Sequence, residues 1–371
     1  MSKSIAFRLA KKALEDEILA TSIYGRLAER HRGEPLGSKF DEISKMEARH
    51  VEFWRGFLKK RGHMVPAQIS TSRVTGYSFM LAMLGRGLTL KIMEMNEGDA
   101  VEMYSGIIEA NIADQRETDE LKRILEDELV HEQEFAREES RFEGFLTYVK
   151  DAVLGMNDGL VEILSITTGL AGVYGSSLQV ALGGLIVGIA GALSMGISTY
   201  ASARAQRQVH EGILRRILKA SMYAGNVFRD RIASRMIEKG YSKEISASIA
   251  DESTGDQEKL SSFIAEEEHG LRKEALVNPF KAGLYAGSFN AFGALLPLLP
   301  YFLGLPIGIT VLVSVAFAGL ALAVTGALIA ILANLHIKSK VVEMLIAGLG
   351  SAAATYLIGR AASIILGVGS H

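Results

Sequence analysis

The sequence contains no cysteine. This excludes structural disulfides, thiolate zinc sites, Cys-ligated iron–sulfur clusters and any rubredoxin-type iron centre, so a bound metal must use Glu, Asp, His or Met. Charge is missing from one long stretch: residues 282–335 carry no Asp, Glu, Lys or Arg, whereas residues 1–150 carry 26 acidic and 23 basic side chains. The overall balance, 40 basic against 42 acidic residues, conceals a polar half followed by an apolar half. There is no stripe of Lys and Arg with interleaved aromatics, and the formal net charge is only -2, so a nucleic-acid partner is set aside. The first thirty residues are charged throughout and lack the apolar core of a signal peptide, which leads us to expect the N-terminal half in the cytoplasm.

A helix that crosses a bilayer needs about 20 mostly apolar residues. Five segments after residue 150 qualify as expectations: 152–173, 180–202, 282–303, 307–335 and 341–365. Arg204, Arg207, Arg215, Arg216, Lys338 and Lys340 follow the second and fourth segments, whereas the connections after the first and third carry no charge. Basic flanks stay in the cytoplasm, so the expected topology has the N-terminus inside, the C-terminus outside and a helical cytoplasmic insert over 203–281. Polar groups inside a span are costly and point to function. Asp158 and Glu162 lie in the first span and Met195 in the second. Taken singly, Asp158 also reads as a helix cap and Met195 as ordinary packing; together they suggest a cation path lined by carboxylate and thioether.

Residues 5–145 read as four helices organised by an internal repeat. Glu17-x-x-Ala20-x-x-x-Tyr24 recurs as Glu97-x-x-Ala100-x-x-x-Tyr104, and Glu47-x-x-His50 recurs as Glu128-x-x-His131. Residues at i and i+3 share a helix face, so each Glu–His pair projects together into a bundle interior. Four carboxylates and two imidazoles form the inward-facing set of a two-metal carboxylate bundle, suited to iron (Fe2+/Fe3+) with Mn2+ as an alternative. Glu94, one turn before Glu97, is a candidate additional or switching ligand. Tyr24 and Tyr104 read either as hydrogen-bond partners of ligands across the site or as core residues. Residues 62–75 read as the loop that crosses from the second helix to the third.

The repeat resembles the ferritin-like superfamily, in particular its rubrerythrin-type domains. Over 145–371, the spans with Asn157-Asp158-Gly159-Leu160, Ser194-Met195-Gly196, the Asn278-Pro279 entry with Lys281, LLPLLPY and ATYLIGR resemble the vacuolar iron transporter family. Joined, the two halves resemble the membrane-bound ferritin proteins. The resemblance implies an all-α chain: a ferritin-like four-helix bundle over 1–147, then a five-span helical membrane domain over 148–371. It implies a homodimer in the cell (inner) membrane that exports Fe2+, with Mn2+ as a second cargo. Asp158 and Met195 match the family's pore carboxylate and methionine. In the insert, Glu268 matches a glutamate before a Gly-Leu pair and Glu211 follows the second span, while the family's repeated early glutamates have no counterpart. The alternative expectation is a membrane-anchored ferroxidase or peroxidase that protects against H2O2; without cysteine, sustained peroxidase turnover requires an external electron donor. A storage ferritin fits poorly, because a fused membrane domain obstructs a closed shell.

Overall fold

Small and branched apolar residues at helical spacing start the chain. Helix α1 (Lys3–Arg30) buries Ala6, Ala10, Ala13, Leu14 and Leu27 on one face. It ends in a turn where Gly33 takes φ +87°, and Pro35 at the first helical position opens α2 (Pro35–Lys60). The computed structural model describes residues 3–66, 69–270 and 277–367, without the side chains of Lys3, Glu143, Glu258, Glu268 and His269. Helix α3 (Thr71–Glu109) begins earlier than expected, since 71–75 are already helical. It breaks at Gly85, whose φ of 76° is open to glycine but strained for other residues. Thr89 Oγ1 donates to the carbonyls of Leu81 (3.1 Å) and Gly85 (2.8 Å), satisfying groups at the break. Helix α4 (Gln115–Glu139) starts at a capping box: Asp114 accepts from the Glu117 amide and Glu117 from the Asp114 amide, both at 2.9 Å.

Helix α1 packs on α2, α3 on α4, and α1 meets α3. Trp54, Leu58, Tyr104, Ile107 and Leu121 form the centre of this core. The unit they build is Met1–Phe142; the second compact unit is Glu143–His371.

The second unit contains α5 (Glu143–Val173), α6 (Ser177–Ser221), α7 (Gly225–Glu238), α8 (Lys243–Thr254), α9 (Gln257–His269), α10 (Pro279–Leu298), α11 (Ile307–Leu332) and α12 (Ile337–Leu366). Among the described residues there are twelve α-helices and no strand. Among the described residues four helices are long and apolar enough to cross a membrane: α6, α10 with the 3-10 turn that follows it, α11 and α12. The sequence suggests five; α5 falls short because Asn157, Asp158 and Glu162 interrupt its apolar run. It nevertheless packs on α6, α10, α11 and α12. Gly155 lies against Ala286 and Gly159 against Asn290, so α5 and α10 run parallel in close backbone contact. Gly169 lies against Thr355 and Gly172 against Tyr356, so α12 is also parallel to α5. The expected insert is helical and begins without a break, because α6 continues past 202 to Ser221. Helices α7, α8 and α9 close with the end of α6 over Ile217, Phe228, Ile232 and Leu260.

Candidate metal centre and membrane site

In the first unit the two halves of the repeat converge. Glu17, Glu47, His50, Glu97, Glu128 and His131 are all buried, although each is ionisable. Their donor atoms form two overlapping groups, Glu17–Glu47–His50–Glu128 and Glu47–Glu97–Glu128–His131, each with all atoms within 4.8 Å of one another. Glu47 and Glu128 belong to both groups.

Neighbouring residues fix the orientation of the donors. Tyr104 donates its hydroxyl to Glu17 and Tyr24 donates to Glu97, so each tyrosine of the repeat serves the glutamate of the other half. Both are also fully buried, so the two roles left open by the sequence coincide. These crossed bonds set α1 and α3 antiparallel. His50 turns Nδ1 inward, 3.1 Å from Glu47, 3.2 Å from Glu128 and 3.6 Å from Glu17. Its Nε2 meets Asp127 at 3.2 Å. A proton held on Nε2 by that carboxylate leaves the Nδ1 lone pair free for a metal. Asp127 has no signal in the ligand spacing, because its partner His50 is on another helix. His131 Nδ1 faces Glu47 at 3.5 Å and Glu97 at 3.8 Å.

Burial of so many acids shifts their titration. Burial, then the neighbouring Glu17, raises the Glu47 carboxyl well above its ordinary range; burial and the neighbouring Glu97 do the same for Glu128. Burial opposes ionisation of Glu97 too, but the adjoining Glu128 and His131 and the hydroxyl donated by Tyr24 leave it lowered. Burial disfavours a charged His50, yet the carboxylates of Glu128, Glu17 and Glu47 around it raise it; the Glu97 carboxylate likewise raises His131.

The donor set fits a metal pair. Glu47 Oε1, Glu128 Oε1 and His131 Nδ1 are buried without a hydrogen-bond partner; the histidine nitrogens near these oxygens lack hydrogen-bond geometry. Unsatisfied buried groups of this kind are costly. Four carboxylates would balance two divalent cations, and the oxygen and imidazole donors suit iron or manganese. Glu94 is in neither group: its carboxylate pairs with Lys91 at 2.9 Å, and Lys91 also reaches Glu139 at 3.3 Å. A cavity of about 280 Å³ between α1 and α3 reaches Glu17, Glu47, Glu97 and Glu128, with Ala20 and Ala100 of the repeat in its walls.

In the second unit, the two helices that carry the expected path residues, α5 and α6, pack against each other. Gly183 faces Leu170, Gly188 faces Ile163 and Gly191 faces the Glu162 carboxylate, so the helices are antiparallel. One further turn brings Asp158 level with Met195. Asp158 is exposed on the surface of the unit and Met195 half-buried. Glu211 is exposed and pairs with Arg207 at 2.8 Å, and the Glu268 side chain lies outside the described residues. Beside Glu211, His210 is buried with Nε2 unpartnered, a feature with no signal in the sequence spacing.

Comparisons with known proteins divide the chain at the same place. Residues 149–360 match the family described as the VIT family, and residues 9–139 match the family described as rubrerythrin. The chain is similar to the vacuolar iron transporter cccA of Arthroderma benhamiae, 29% identical over 159 residues, which is 42% of this chain and 55% of that protein. It is 25% identical over 169 residues to Protein CCC1 of Saccharomyces cerevisiae, covering 45% of this chain and 52% of the relative. Vacuolar iron transporter 1 of Oryza sativa subsp. japonica is 26% identical over 153 residues, covering 41% and 61%. The chain thus spans between half and two thirds of the length of these curated relatives.

Proposed function

Because the chain belongs to the VIT family and carries a ferritin-like, rubrerythrin-type domain ahead of the membrane part, we propose that it exports Fe2+ from the cytoplasm across the cell (inner) membrane, with Mn2+ as a second cargo. In this reading residues 1–147 form a cytoplasmic four-helix bundle that captures and oxidises or senses Fe2+, and residues 148–371 form the transport domain. The single observation that carries the reading is the pairing in one chain of a buried Glu4His2 donor set with Asp158 level with Met195 in an apolar helical unit.

A di-iron pair, when bound, supplies one-electron steps between Fe(II) and Fe(III). The protein's part is to hold the donors: Tyr104 and Tyr24 orient Glu17 and Glu97, and Asp127 orients His50. The cavity between α1 and α3 admits small molecules to the carboxylates, and it favours the second reading, an anchored ferroxidase or peroxidase. Five spans are supported by α5 running parallel to α10 and α12, which puts the ends of α5 at the levels of theirs. With the insert and its basic flank inside, the C-terminus lies outside. Glu211 and Glu268 remain candidate ligands of that insert, and Glu94 an accessory group near the metal pair. An exposed Asp158 on a helix packed among apolar helices calls for cover, which a second copy in a homodimer provides.

The test is Fe2+ flux in proteoliposomes. Asp158→Asn and Met195→Leu nearly conserve volume, and each is expected to reduce flux at least tenfold while leaving two metals bound in the first unit. Transport by both variants at the intact rate would favour the anchored oxidase.

A further inference from the structure

Glu162 is a carboxylate in an apolar setting that the transport reading has not yet used. It lies one turn from Asp158 on the same helix, and among the described residues no cation or hydrogen-bond donor partners it. Its side chain is half-buried in the α5–α6 seam. Gly191 makes that position possible: a Cβ there would stand 2.7 Å from Glu162 Oε2 and 3.4 Å from Oε1.

A second, independent observation comes from α10. Asn290 is 2% exposed and its Oδ1 is buried without a partner. Ala286 and Gly293 on one side of it face α5, while Gly287 and Ala294 face α6, so Asn290 stands on the edge of α10 directed at the α5–α6 seam. Its level is fixed from both helices. On α5 it lies at Gly159; on α6, Gly287 lies against Ala192 and Ala294 against Gly188, which brackets Gly191. A buried amide oxygen with no donor thus sits within a turn of an unpaired carboxylate. A buried amide oxygen accepts hydrogen bonds or coordinates cations, and a carboxylate in apolar surroundings needs a cation or a proton.

We propose that Glu162 and Asn290 form, with Asp158 and Met195, a divalent-cation site in the membrane unit, in which Gly191 keeps the space for the Glu162 carboxylate. The inference rests on the transport reading and adds two ligands to it. Two carboxylates neutralise a divalent charge, and the neutral amide and thioether replace part of the hydration shell without holding the ion too firmly for release.

The experiment measures Fe2+ flux under anaerobic conditions with the full chain in proteoliposomes, with Asp158→Asn as reference. Glu162→Gln is expected to lower flux at least tenfold, and Asn290→Leu to raise the half-saturating Fe2+ concentration at least threefold. Gly191→Ala, which keeps every ligand, is expected to lower flux at least fivefold. The double variant Gly191→Ala/Glu162→Asp shortens the acid by one methylene and is expected to restore at least a third of the intact rate, a rescue that a purely structural role would not produce. Glu162→Gln or Gly191→Ala at the intact rate, with Asp158→Asn inactive, overturns the site and leaves the transport reading standing. An intact protein without flux overturns both. Should Glu162→Gln fail to fold, the Gly191→Ala variant and its rescue decide alone.

Discussion

Replacing Glu47 by Gln separates metal binding from folding. Glu47 is 1% exposed and belongs to both donor groups, so its loss removes a ligand shared by both metals. Burial and the neighbouring Glu17 favour its protonated form when no metal is present. Glutamine is close in shape to a protonated glutamate, so the metal-free variant should differ from the intact protein by no more than about 1 kcal/mol. With metal the two diverge. At a free metal concentration of about 100 times Kd, each site stabilises the folded unit by roughly 2.7 kcal/mol, so two sites contribute on the order of 5 kcal/mol. In a unit of this size that is on the order of 15 °C in the thermal transition. Calorimetry of the full chain in detergent, with and without Fe2+ under anaerobic conditions, should show the shift in the intact protein and its loss in Glu47→Gln. Metal analysis should show fewer than two ions per chain. A variant that still binds two ions and keeps the full shift would refute the assignment of Glu47 as a shared ligand. A metal-free variant that is unfolded would refute the argument from its protonated state.

The raised carboxyls of Glu47 and Glu128 and the raised imidazoles of His50 and His131 give pH dependences of definite sign. Stability from a raised group is present below its unfolded pKa and lost as pH rises through the folded value, so the metal-free unit should weaken as pH rises above about 4.5, and further above about 6.5, in denaturant titrations. Metal must displace those protons, so its affinity should rise over the same range, as competition with a chromophoric chelator will show. Tyr104→Phe removes the hydroxyl donated to Glu17 and should weaken metal binding by about 10-fold to 100-fold in the same competition assay, with Tyr24→Phe acting similarly through Glu97. Glu94→Gln removes the charge that pairs with Lys91 and should leave two metals bound per chain by metal analysis.

The sequence alone determined the helical class and brought out the six residues of the candidate metal centre, because both follow from periodicity. Glu and His three residues apart share a helix face whatever the neighbours are, and two matching repeats make a shared interior the economical solution. It also showed where charge is absent, and hence which helices suit a membrane. Tertiary contacts decided the rest. The sequence leaves Tyr24 and Tyr104 between two roles, and only the antiparallel placement of α1 and α3 sends each hydroxyl to the other half's glutamate. Asp127 reaches His50 from a different helix, and Glu94 turns to Lys91 although it lies one turn from a ligand. The Gly85 break lies outside the repeat and shows only in the backbone, where φ is 76°. In the second unit, the sequence shows polar residues in apolar segments, but their relative levels depend on helix register. Glycines at the crossings let backbones approach, and that approach sets Asp158 level with Met195 and turns Asn290 toward the α5–α6 seam.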